Sequence, residues 1–599
     1  MTRTRTLAVL LLALGGCGED VIDLDPIDTD PVVEATVRPA PIIGGTMTIT
    51  SANTAIAADP DRDVVYVVDL NAQAVKHTIT LEAGDQPGRV VVGADGRAHV
   101  VLRGFGGLAT LDPDAGVVTS RQRLCPEPRG VAVHDTDGSI YVACAGGSLV
   151  HLSSAGEELE RKALEPDLRD VLIVDGAVMV SLFREAAIIG LDGTRIQLPE
   201  GAEEAPHVAW RTWVTDNGDI AMLHQVASKN PVPIDPDPEE LPPGGSAYGG
   251  GDDPCQFGLV SAAVTTITSD SIQTTPLMNS RLTVDAAFSP DGEKVAMAVP
   301  GAVRPEPPSD DGGRGGRLNQ GLVFDDFGFF DETGSTVRVE SKHTSECFTF
   351  ASDGEAGQVT AVAYDTGGRL VMQSREPARI LISESEWEQP TVIELGGESR
   401  FDTGHEIFHR ATDSGLSCAS CHPEGTDDGH VWEFDGLGPR RTQTLDVGLR
   451  DTAPFHWDGD MDDFDTLMSE VLAHRMGGKR QSEERADSFT RWVFDQQRPA
   501  ADDGRNDPGL VAQGEALFAA HACDKCHNGP ALGGQRTERV SGVDKQVPTL
   551  RRVSLHPPFM HDGRSHTLED AVRDMIDTTS PIAGSDADVE ALAAYLRTL

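Results

Sequence analysis

Two short motifs constrain the fold of this chain more than any other feature. Cys418–His422 and Cys523–His527 both follow the pattern Cys-x-x-Cys-His. In this pattern two thiols add to the vinyl groups of a porphyrin and the adjacent histidine binds its iron, so the spacing is typical of c-type haem attachment. A partial zinc site is the alternative for one motif, but two copies favour two covalently bound haem c groups. The predicted attachment residues are Cys418, Cys421, Cys523 and Cys526, and the predicted iron ligands are His422 and His527.

The N-terminus has the layout of an export signal. Two arginines precede the apolar run Leu7–Leu14, which is too short to span a bilayer as a permanent helix. The run leads into Gly-Gly-Cys17, which resembles a bacterial lipobox, a signal in which the cysteine becomes lipidated. We therefore predict a signal peptide over residues 1–17, a lipid anchor at Cys17 and a periplasmic or cell-surface location. Gly18 favours the outer membrane, and secretion without lipidation is the alternative.

The charge of the chain argues against one class of partner. Its formal net charge is −47 at pH 7, whereas a nucleic-acid-binding protein needs a basic surface. We therefore expect no nucleic-acid partner. The acidic composition favours solubility, and attraction of a basic partner is a second use for such a surface.

Four cysteines remain outside the haem motifs and the lipobox. An oxidising compartment would allow disulfide bonds between them. The pairs Cys125–Cys144 and Cys255–Cys347 follow the order of the chain, although spacing alone does not fix the connectivity.

The segment between the N-terminus and the haem motifs predicts a tether followed by a β domain. Residues 18–44 are rich in Asp and Pro and predict a flexible acidic tether. From 45 to 398, short β-rich runs alternate with tight turns, which recur about every forty residues at first. We predict an all-β seven-bladed propeller over 45–398, with loop insertions at 230–254 and 301–322; a pair of β-sandwiches is the alternative. The predicted turns are Asp61-Arg62, Asp95-Gly96, Asp137-Gly138, Asp175-Gly176, Asn217-Gly218, Asp291-Gly292 and Gly367-Gly368.

The C-terminal third contains an internal repeat. A Gly-x-x-x-Phe segment precedes each haem motif, and a Thr-Leu pair and a Pro-Phe…Asp-Gly element follow it. The repeat predicts two homologous, mainly α cytochrome c-like domains over residues 399–500 and 501–599. The paired elements are Gly404–Phe408 with Gly514–Phe518, and Pro454–Gly459 with Pro558–Gly563.

Residues 400–599 resemble the bacterial di-haem cytochrome c peroxidases, a family that includes the MauG-type enzymes. The shared features are the paired domains, the segments Cys526–Pro530 and Val547–Arg551, and the Trp-Asp-Gly and His-Asp-Gly elements. The resemblance implies an oxidoreductase in which a small periplasmic redox protein reduces the second haem and the first haem reduces hydrogen peroxide. The β segment lies outside this family, and its Pro87–Val90 and Pro128–Val131 resemble propellers of the surface-layer or YVTN type.

At the first haem, the resemblance gives roles to residues beyond the motif. His430, in a Gly-His-x-Trp element, corresponds to a distal ligand or pocket residue, and Trp457 corresponds to an electron relay between the haems. The family's catalytic glutamate is missing from its expected position. Glu470 is our candidate acid–base residue, with His474 and Met476 as alternatives, because O–O cleavage requires proton transfer. An exposed loop histidine, a core tryptophan and a solvated glutamate are the readings without a catalytic role.

At the second haem, the resemblance supplies an axial ligand and a test for calcium. Met575 corresponds to the thioether ligand, which raises the reduction potential, and Met560 is its rival. The family also holds calcium between the haems, but Arg441 stands where a neutral oxygen ligand is expected. Because a guanidinium has no acceptor to offer, calcium is a possible but disfavoured cofactor.

Three functional hypotheses follow. The first is a peroxidase, with a MauG-like oxidase of a substrate held by the propeller as its variant. The second is a di-haem electron carrier without catalysis, which the missing glutamate favours. The third is a surface binding protein in which the propeller engages the ligand and the haems are accessory.

Overall fold

The computed structural model describes most of the chain. The described residues are 27–235, 245–250, 258–277, 282–302, 337–341, 350–351, 357–384, 390–496, 498, 506–540 and 542–599. The predicted signal peptide, the predicted lipidation residue Cys17, and Cys255 and Cys347 lie outside these residues.

Residues 47–394 form seven four-stranded antiparallel sheets, each with its strands in chain order. We number them sheets 1 to 7. Sheet 1 comprises Met47–Ile49, Thr54–Asp59, Val64–Asp69 and Ala74–Thr80; sheet 2, Pro87–Val92, Ala98–Leu102, Gly107–Asp112 and Val117–Arg123; sheet 3, Pro128–Val133, Ile140–Cys144, Ser148–Leu152 and Glu158–Ala163; sheet 4, Leu168–Val174, Ala177–Leu182, Ala187–Gly190 and Arg195–Gln197. Sheet 5 comprises Glu204–Val214, Ile220–Ser228, Val260–Ile267 and Ile272–Leu277; sheet 6, Asp285–Phe288, Lys294–Ala298, Val337–Ser341 and Phe350–Ala351; sheet 7, Val359–Tyr364, Leu370–Arg375, Ala378–Ser383 and Thr391–Glu394. A short hairpin, Gly245–Ser246 with Gly249–Gly250, lies within the insertion of sheet 5, and a 3₁₀ turn, Pro300–Ala302, follows the second strand of sheet 6.

The sheets pack side by side as a β-propeller. The first strand of each sheet contacts the first strand of the next, and the first strand of sheet 7 contacts that of sheet 1. In sheet 2 the second strand Ala98–Leu102 is buried throughout, whereas the fourth strand Val117–Arg123 is largely exposed. The apolar residues of neighbouring sheets form the core between them, as Val68 of sheet 1 and Ile380 of sheet 7 do.

Six of the seven predicted turns join the first and second strands of a sheet. Each of these six contains a glycine with positive φ, for example 81° at Gly96 and 84° at Gly368, a conformation that glycine adopts without steric cost. The exception is Asp61-Arg62, which joins the second and third strands of sheet 1. In sheet 1 the predicted turn is therefore the second turn of the sheet and not the first. The reason is that no Asp-Gly pair lies between the first strand, Met47–Ile49, and the second strand, which begins at Thr54.

The described part of the predicted tether, residues 27–44, is packed against the helical region. Thr403 N donates to Val33 O at 2.9 Å, and the indole of Trp492 donates to Pro39 O at 3.0 Å. Ile42 is buried, and its N–H donates to Nε2 of His409 at 3.1 Å. Residues 27–44 are thus a strap with its own apolar anchor and not a free linker, which corrects the expectation drawn from their Asp and Pro content.

The chain after residue 400 is mainly helical with two small hairpins. The helices are Thr403–His409, Cys418–Cys421, Phe464–Leu467, the π-helical Met468–Arg475, Glu483–Phe494, Pro508–Ala520, Leu568–Thr579 and Asp586–Leu596, with 3₁₀ turns at Pro423–Gly425, Cys523–Lys525 and Val553–Leu555. The hairpins are Val431–Phe434 with Gly438–Arg441, and Thr537–Val540 with Val543–Gln546. Capping side chains start the long helices, and Ser585 and Asp588 form a capping box at the start of the last helix.

Glycines at matching repeat positions bring helices into close contact. A Cβ on Gly404 would lie 2.5 Å from Cβ of Trp492, in the helix Glu483–Phe494. A Cβ on Gly514 would lie 2.0 Å from the carbonyl oxygen of Ala591, in the last helix. Each repeat therefore packs its first helix against its last through a glycine that no larger residue could replace without moving the backbone.

Among the described cysteines, Cys125 and Cys144 form a disulfide bond, and their Cα atoms are 6.3 Å apart. This confirms the first predicted pair.

Among the described residues, no helix is long and apolar enough to cross a membrane.

Candidate functional site

The first Cys-x-x-Cys-His motif forms a single capped helical turn. Ser417 and Ser420 make a reciprocal capping box at its N-terminus. His422 closes the turn, because its N–H donates to Cys418 O at 2.8 Å. The thiols of Cys418 and Cys421 are not joined to each other. Burial raises the pKa of Cys418 to about 12 and raises that of Cys421 as well, so both thiols are protonated.

Both motif histidines are oriented as iron ligands. Nδ1 of His422 donates to Thr426 O at 3.1 Å, and Nδ1 of His527 donates to Leu532 O at 3.2 Å. A ring nitrogen that donates to a backbone carbonyl fixes the tautomer and leaves Nε2 with its lone pair for a metal. Burial lowers the pKa of both imidazoles, which favours the neutral, ligating form.

The two motifs open onto one apolar cavity of about 830 Å³. Both cysteines and the histidine of each motif line it, together with aliphatic and aromatic side chains such as Phe464 and Leu592. Ligand sites of this kind are concave and mostly apolar with a few fixed polar groups. Free paired thiols, a fixed imidazole and an apolar wall are the features that covalent haem c requires, so the residues present fit that cofactor.

The hairpin of each repeat contacts the other repeat across the cavity. Arg441, at the end of the first hairpin, donates its N–H to His561 O at 2.7 Å. Gln546, at the matching position of the second hairpin, donates its N–H to Trp457 O at 2.8 Å. Because each hairpin contacts the Pro-Phe…Asp-Gly element of the other repeat, the arrangement has approximate two-fold symmetry. Trp457 and His561 are equivalent under this symmetry, and their ring centres lie 6.3 Å apart.

Several predicted residues line the cavity. Trp457 does so, with its indole donating to Arg441 O at 2.6 Å. Met575 and its rival Met560 both line the cavity, as does Met476.

Other predicted residues do not reach the cavity wall. Glu470 and His474 are exposed on the π-helical segment, whose inner face instead presents Val471. His430 packs between His207 of sheet 5 and Trp432, with ring centres 5.2 Å and 4.4 Å away. Of these rings only Trp432 lines the cavity.

The cavity wall also carries an acid–base pair, His456 and Asp460, that the sequence motifs did not predict. His456 and Asp460 both line the cavity, and Nδ1 of His456 lies 3.6 Å from Oδ1 of Asp460. The neighbouring imidazole lowers the pKa of Asp460, so its carboxylate stays ionised. His456 has a φ of 64° and occupies the repeat position of Met560, whose φ is 70°. The sequence signal was available, since His456 immediately precedes Trp457.

The propeller also contributes to the site. Tyr248 and Leu259 line the cavity, and both lie in the insertion of sheet 5. Gln225 of sheet 5 donates from Nε2 to Ser420 O at 3.1 Å and so holds the first motif directly. One face of the propeller is therefore covered by the region that carries the first motif.

A cluster of buried ions joins the propeller to the helical region after residue 400. Glu424, whose φ is 54°, accepts from Arg169 Nη1 at 2.5 Å and lies 2.6 Å from Arg103 Nη2. Burial raises the pKa of Glu424, but the two guanidinium groups outweigh that effect and hold it well below its ordinary value. Asp427 makes contacts of 3.2 Å with Arg184 and 2.6 Å with His556. We call this the interdomain ion cluster; it comprises Arg103, Glu127, Arg129, Asp167, Arg169, Arg184, Glu424, Asp427, Arg441, Asp446, Arg498, Arg552 and His556.

In the described part of the chain, no group of three or more His, Cys, Asp or Glu side chains is placed to hold a metal ion.

The helical fold and the second motif define a C-terminal cytochrome c domain, a class of protein that carries covalently bound haem c, here joined to a β-propeller. Residues 509–596 match the family model described as cytochrome C oxidase, cbb3-type, subunit III. The chain is also 32% identical over 111 residues to cytochrome c551 peroxidase of Nitrosomonas europaea, a match that covers 14% of this chain and 33% of that protein. The chain thus spans about a third of the length of this relative.

Solved structures resemble the chain at low identity. Hydrazine synthase of Kuenenia stuttgartiensis is 15% identical with a TM-score of 0.41, over 62% of this chain and 99% of that one. A streptogramin B lyase structure is 12% identical with a TM-score of 0.37, over 57% of this chain and 93% of that one.

Proposed function

We propose that this chain is an exported di-haem c-type cytochrome that reduces hydrogen peroxide. A small redox protein reduces the haem at His527, and electrons pass to the haem at His422, where peroxide is consumed. Seven blades close the propeller, and two cytochrome c-like domains follow it. The lipid anchor at Cys17 holds the protein on the periplasmic or outer face of the outer membrane.

The observation that carries this proposal is the shared cavity with its approximate two-fold symmetry. Two unrelated motifs would not be expected to exchange hairpins through matching bonds, at Arg441 and at Gln546. The matching glycine contacts at Gly404 and Gly514 support the same conclusion. The distant relationship to cytochrome c551 peroxidase supports the choice of haem-based electron transfer.

The haem groups, when bound, supply one-electron redox chemistry at iron. The chain supplies the remaining functions. Trp457 and His561 fill the space between the two halves of the cavity with aromatic rings. Met575, or Met560 in its place, offers a thioether to the second site. His456 lines the cavity and serves as the proton carrier there, and Asp460, whose Oδ1 lies 3.6 Å from Nδ1, orients its ring.

This assignment moves the acid–base role from Glu470 to His456. A general acid–base group must reach the reacting atoms, and Glu470 is exposed outside the cavity. Electrons and protons balance as H₂O₂ with two electrons and two protons giving two water molecules.

Mass spectrometry and electron paramagnetic resonance test the proposal. Intact mature protein should carry two haems, one on each motif peptide. Half-reduction should produce a high-spin ferric signal at one haem, and peroxide should abolish it with turnover. The proposed peroxidase activity would be ruled out if the protein carried only one haem. It would also be ruled out if both haems were low-spin and their spectra did not change on adding peroxide.

A non-catalytic electron carrier is the second candidate. The observation in its favour is that Glu470 and His430 both lie off the cavity wall. A carrier would keep both irons six-coordinate in every redox state, so the same spectra separate the two candidates.

A further inference from the structure

The propeller places a short hairpin against the wall of the haem cavity. This hairpin, Gly245–Ser246 with Gly249–Gly250, lies in the insertion of sheet 5. Tyr248 lies in its turn and lines the cavity. Tyr248 packs against the same apolar cluster as Cys421 of the first motif, and its ring centre is 6.5 Å from that of Phe434. The hairpin therefore borders the part of the cavity that belongs to the first motif.

The hairpin also holds the end of the π-helical segment Met468–Arg475. The N–H of Tyr248 donates to Arg475 O at 2.9 Å. A Cβ on Gly477 would lie 3.1 Å from Cβ of Ser246, so the two backbones approach closely there. Carbonyl groups in the last turn of a helix have no partner within it, so the bond from Tyr248 satisfies one of them and fixes the backbone of Arg475.

Tyr248 fixes the side chain of Arg475 as well. The guanidinium donates a hydrogen bond to the phenol oxygen of Tyr248. Arg475 is half-buried and lines the cavity. In the described part of the chain it forms no ion pair. The cavity wall therefore carries a positioned guanidinium that no carboxylate contacts among the described residues.

Arg475 lies near the proposed acid–base pair. Asp460 interacts electrostatically both with His456 and with Arg475. His456 in turn interacts electrostatically with His422, the predicted iron ligand of the first motif. His456, Asp460 and Arg475 all line the cavity. A proton-carrying imidazole and a permanently charged guanidinium are thus neighbours on the wall beside the first motif.

We propose that Arg475 holds the small anion formed from the substrate, and that Tyr248 of the propeller positions Arg475 for this role. In the proposed reaction, hydrogen peroxide gives one proton to the imidazole of His456 and becomes the hydroperoxide anion. The guanidinium of Arg475 stabilises this negative charge through charge-assisted hydrogen bonds. The inference rests on the proposed peroxide reduction at the first haem, and it gives the propeller a direct part in that reaction.

The test uses full-length mature holoprotein with the second haem reduced and the first haem oxidised. Fluoride is the anionic probe, and imidazole at about pH 8, where it is neutral, is the uncharged probe, since both bind an open ferric haem. Optical titration compares wild type with Arg475→Gln, Arg475→Lys, Tyr248→Phe and the control Arg480→Gln. Arg480 is a matched control because it is an exposed arginine in the same part of the chain.

The expected result is a selective loss of anion binding. Arg475→Gln should weaken fluoride binding by about ten- to a hundredfold, the loss typical of a hydrogen bond to a charged group. Arg475→Lys should lose less because it keeps the charge. Tyr248→Phe should also lose less because it disturbs only the position of the guanidinium. Imidazole binding should remain at the wild-type level in all of these variants, whereas a merely structural role of either residue would weaken both probes together.

The outcomes that overturn the proposal are distinct from those that overturn the proposed function. Equal fluoride affinity in Arg475→Gln and Arg480→Gln overturns it, and so does a parallel loss of fluoride and imidazole affinity. If Arg475→Gln fails to fold, unchanged fluoride affinity in both Arg475→Lys and Tyr248→Phe overturns it instead. Wild-type protein that binds neither probe has no open haem, which rejects the proposed function together with this inference.

Discussion

Neutralising Glu424 should destabilise the contact between the propeller and the first haem motif. The carboxylate is fully buried, and it pairs with Arg169 at 2.5 Å and Arg103 at 2.6 Å. In Glu424→Gln, Arg169 loses the carboxylate of its ion pair, and the carbonyl of Trp210 at 3.1 Å and the ring of Phe183 at 4.5 Å do not replace that charge. Removing one partner of a buried ion pair costs about 3–5 kcal/mol, because the other charge stays buried without compensation.

Equilibrium urea unfolding measures this cost. Circular dichroism follows the strands, and haem absorption follows the first motif. With a denaturant slope of about 2–3 kcal/mol per molar urea, the midpoint of the transition that breaks this contact should fall by about 1–2 M. Glu433→Gln is the control, since Glu433 is exposed on the hairpin of the same region.

A double mutant tests the reason for the effect. Combining Glu424→Gln with Arg169→Met removes both members of the pair, so the double variant should lose less stability than the sum of the single variants. Coupling of about 0.5–3 kcal/mol is typical of residues in one ion network. A midpoint equal to that of Glu433→Gln, or strict additivity in the double variant, would refute the argument.

Three further predictions concern other parts of the molecule. Burial lowers the pKa of His99 from 6.5 to about 4, so the stability it contributes is present above pH 6.5 and is lost, by up to about 3 kcal/mol, as the pH falls toward 4; His99→Gln should flatten unfolding curves recorded over that range, and an unchanged slope would contradict this. Replacing Cys125 and Cys144 by Ala should lower the unfolding free energy by about 3 kcal/mol, since their bond closes a loop with a sequence separation of 19; thermal unfolding that is the same with and without reductant would count against it. Trp457→Phe should slow electron transfer between the two haems without changing haem content, as stopped-flow absorption would show, and equal rates would remove Trp457 from the route.

The sequence alone predicted features whose physical basis is local. Paired cysteines with an adjacent histidine identify haem attachment because the chemistry requires that spacing. Asp-Gly pairs such as Asp95-Gly96 located six first-to-second strand turns, because only a residue that tolerates positive φ suits a tight hairpin. The repeat placed Trp457 and Met575 in two matching halves, and both line the cavity.

Predictions from the sequence failed for side chains whose role depends on which face of a helix or strand is covered by other parts of the protein. Glu470 looked suitable by type, but the π-helical segment directs Val471 toward the cavity and leaves Glu470 in solvent. The composition of residues 27–44 predicted a linker. Composition does not show that Ile42 is buried against the first helix, where its N–H donates to Nε2 of His409. His456 was not predicted although it immediately precedes Trp457, because the repeat pairs it with Met560 and so gives no sign that its imidazole lines the cavity.

Only the tertiary structure could join the two halves of the chain. Arg103 and Glu424 meet although 321 residues separate them, and Arg169 and Glu424 meet across 255 residues. Isolated in sequence, each of these residues reads as an ordinary surface charge. They become a buried cluster because the propeller face and the loop after His422 exclude water from both sides, which makes each charge dependent on its partner. The sequence therefore determined the cofactor chemistry and the repeating units, whereas tertiary packing decided that the propeller contacts the first Cys-x-x-Cys-His motif.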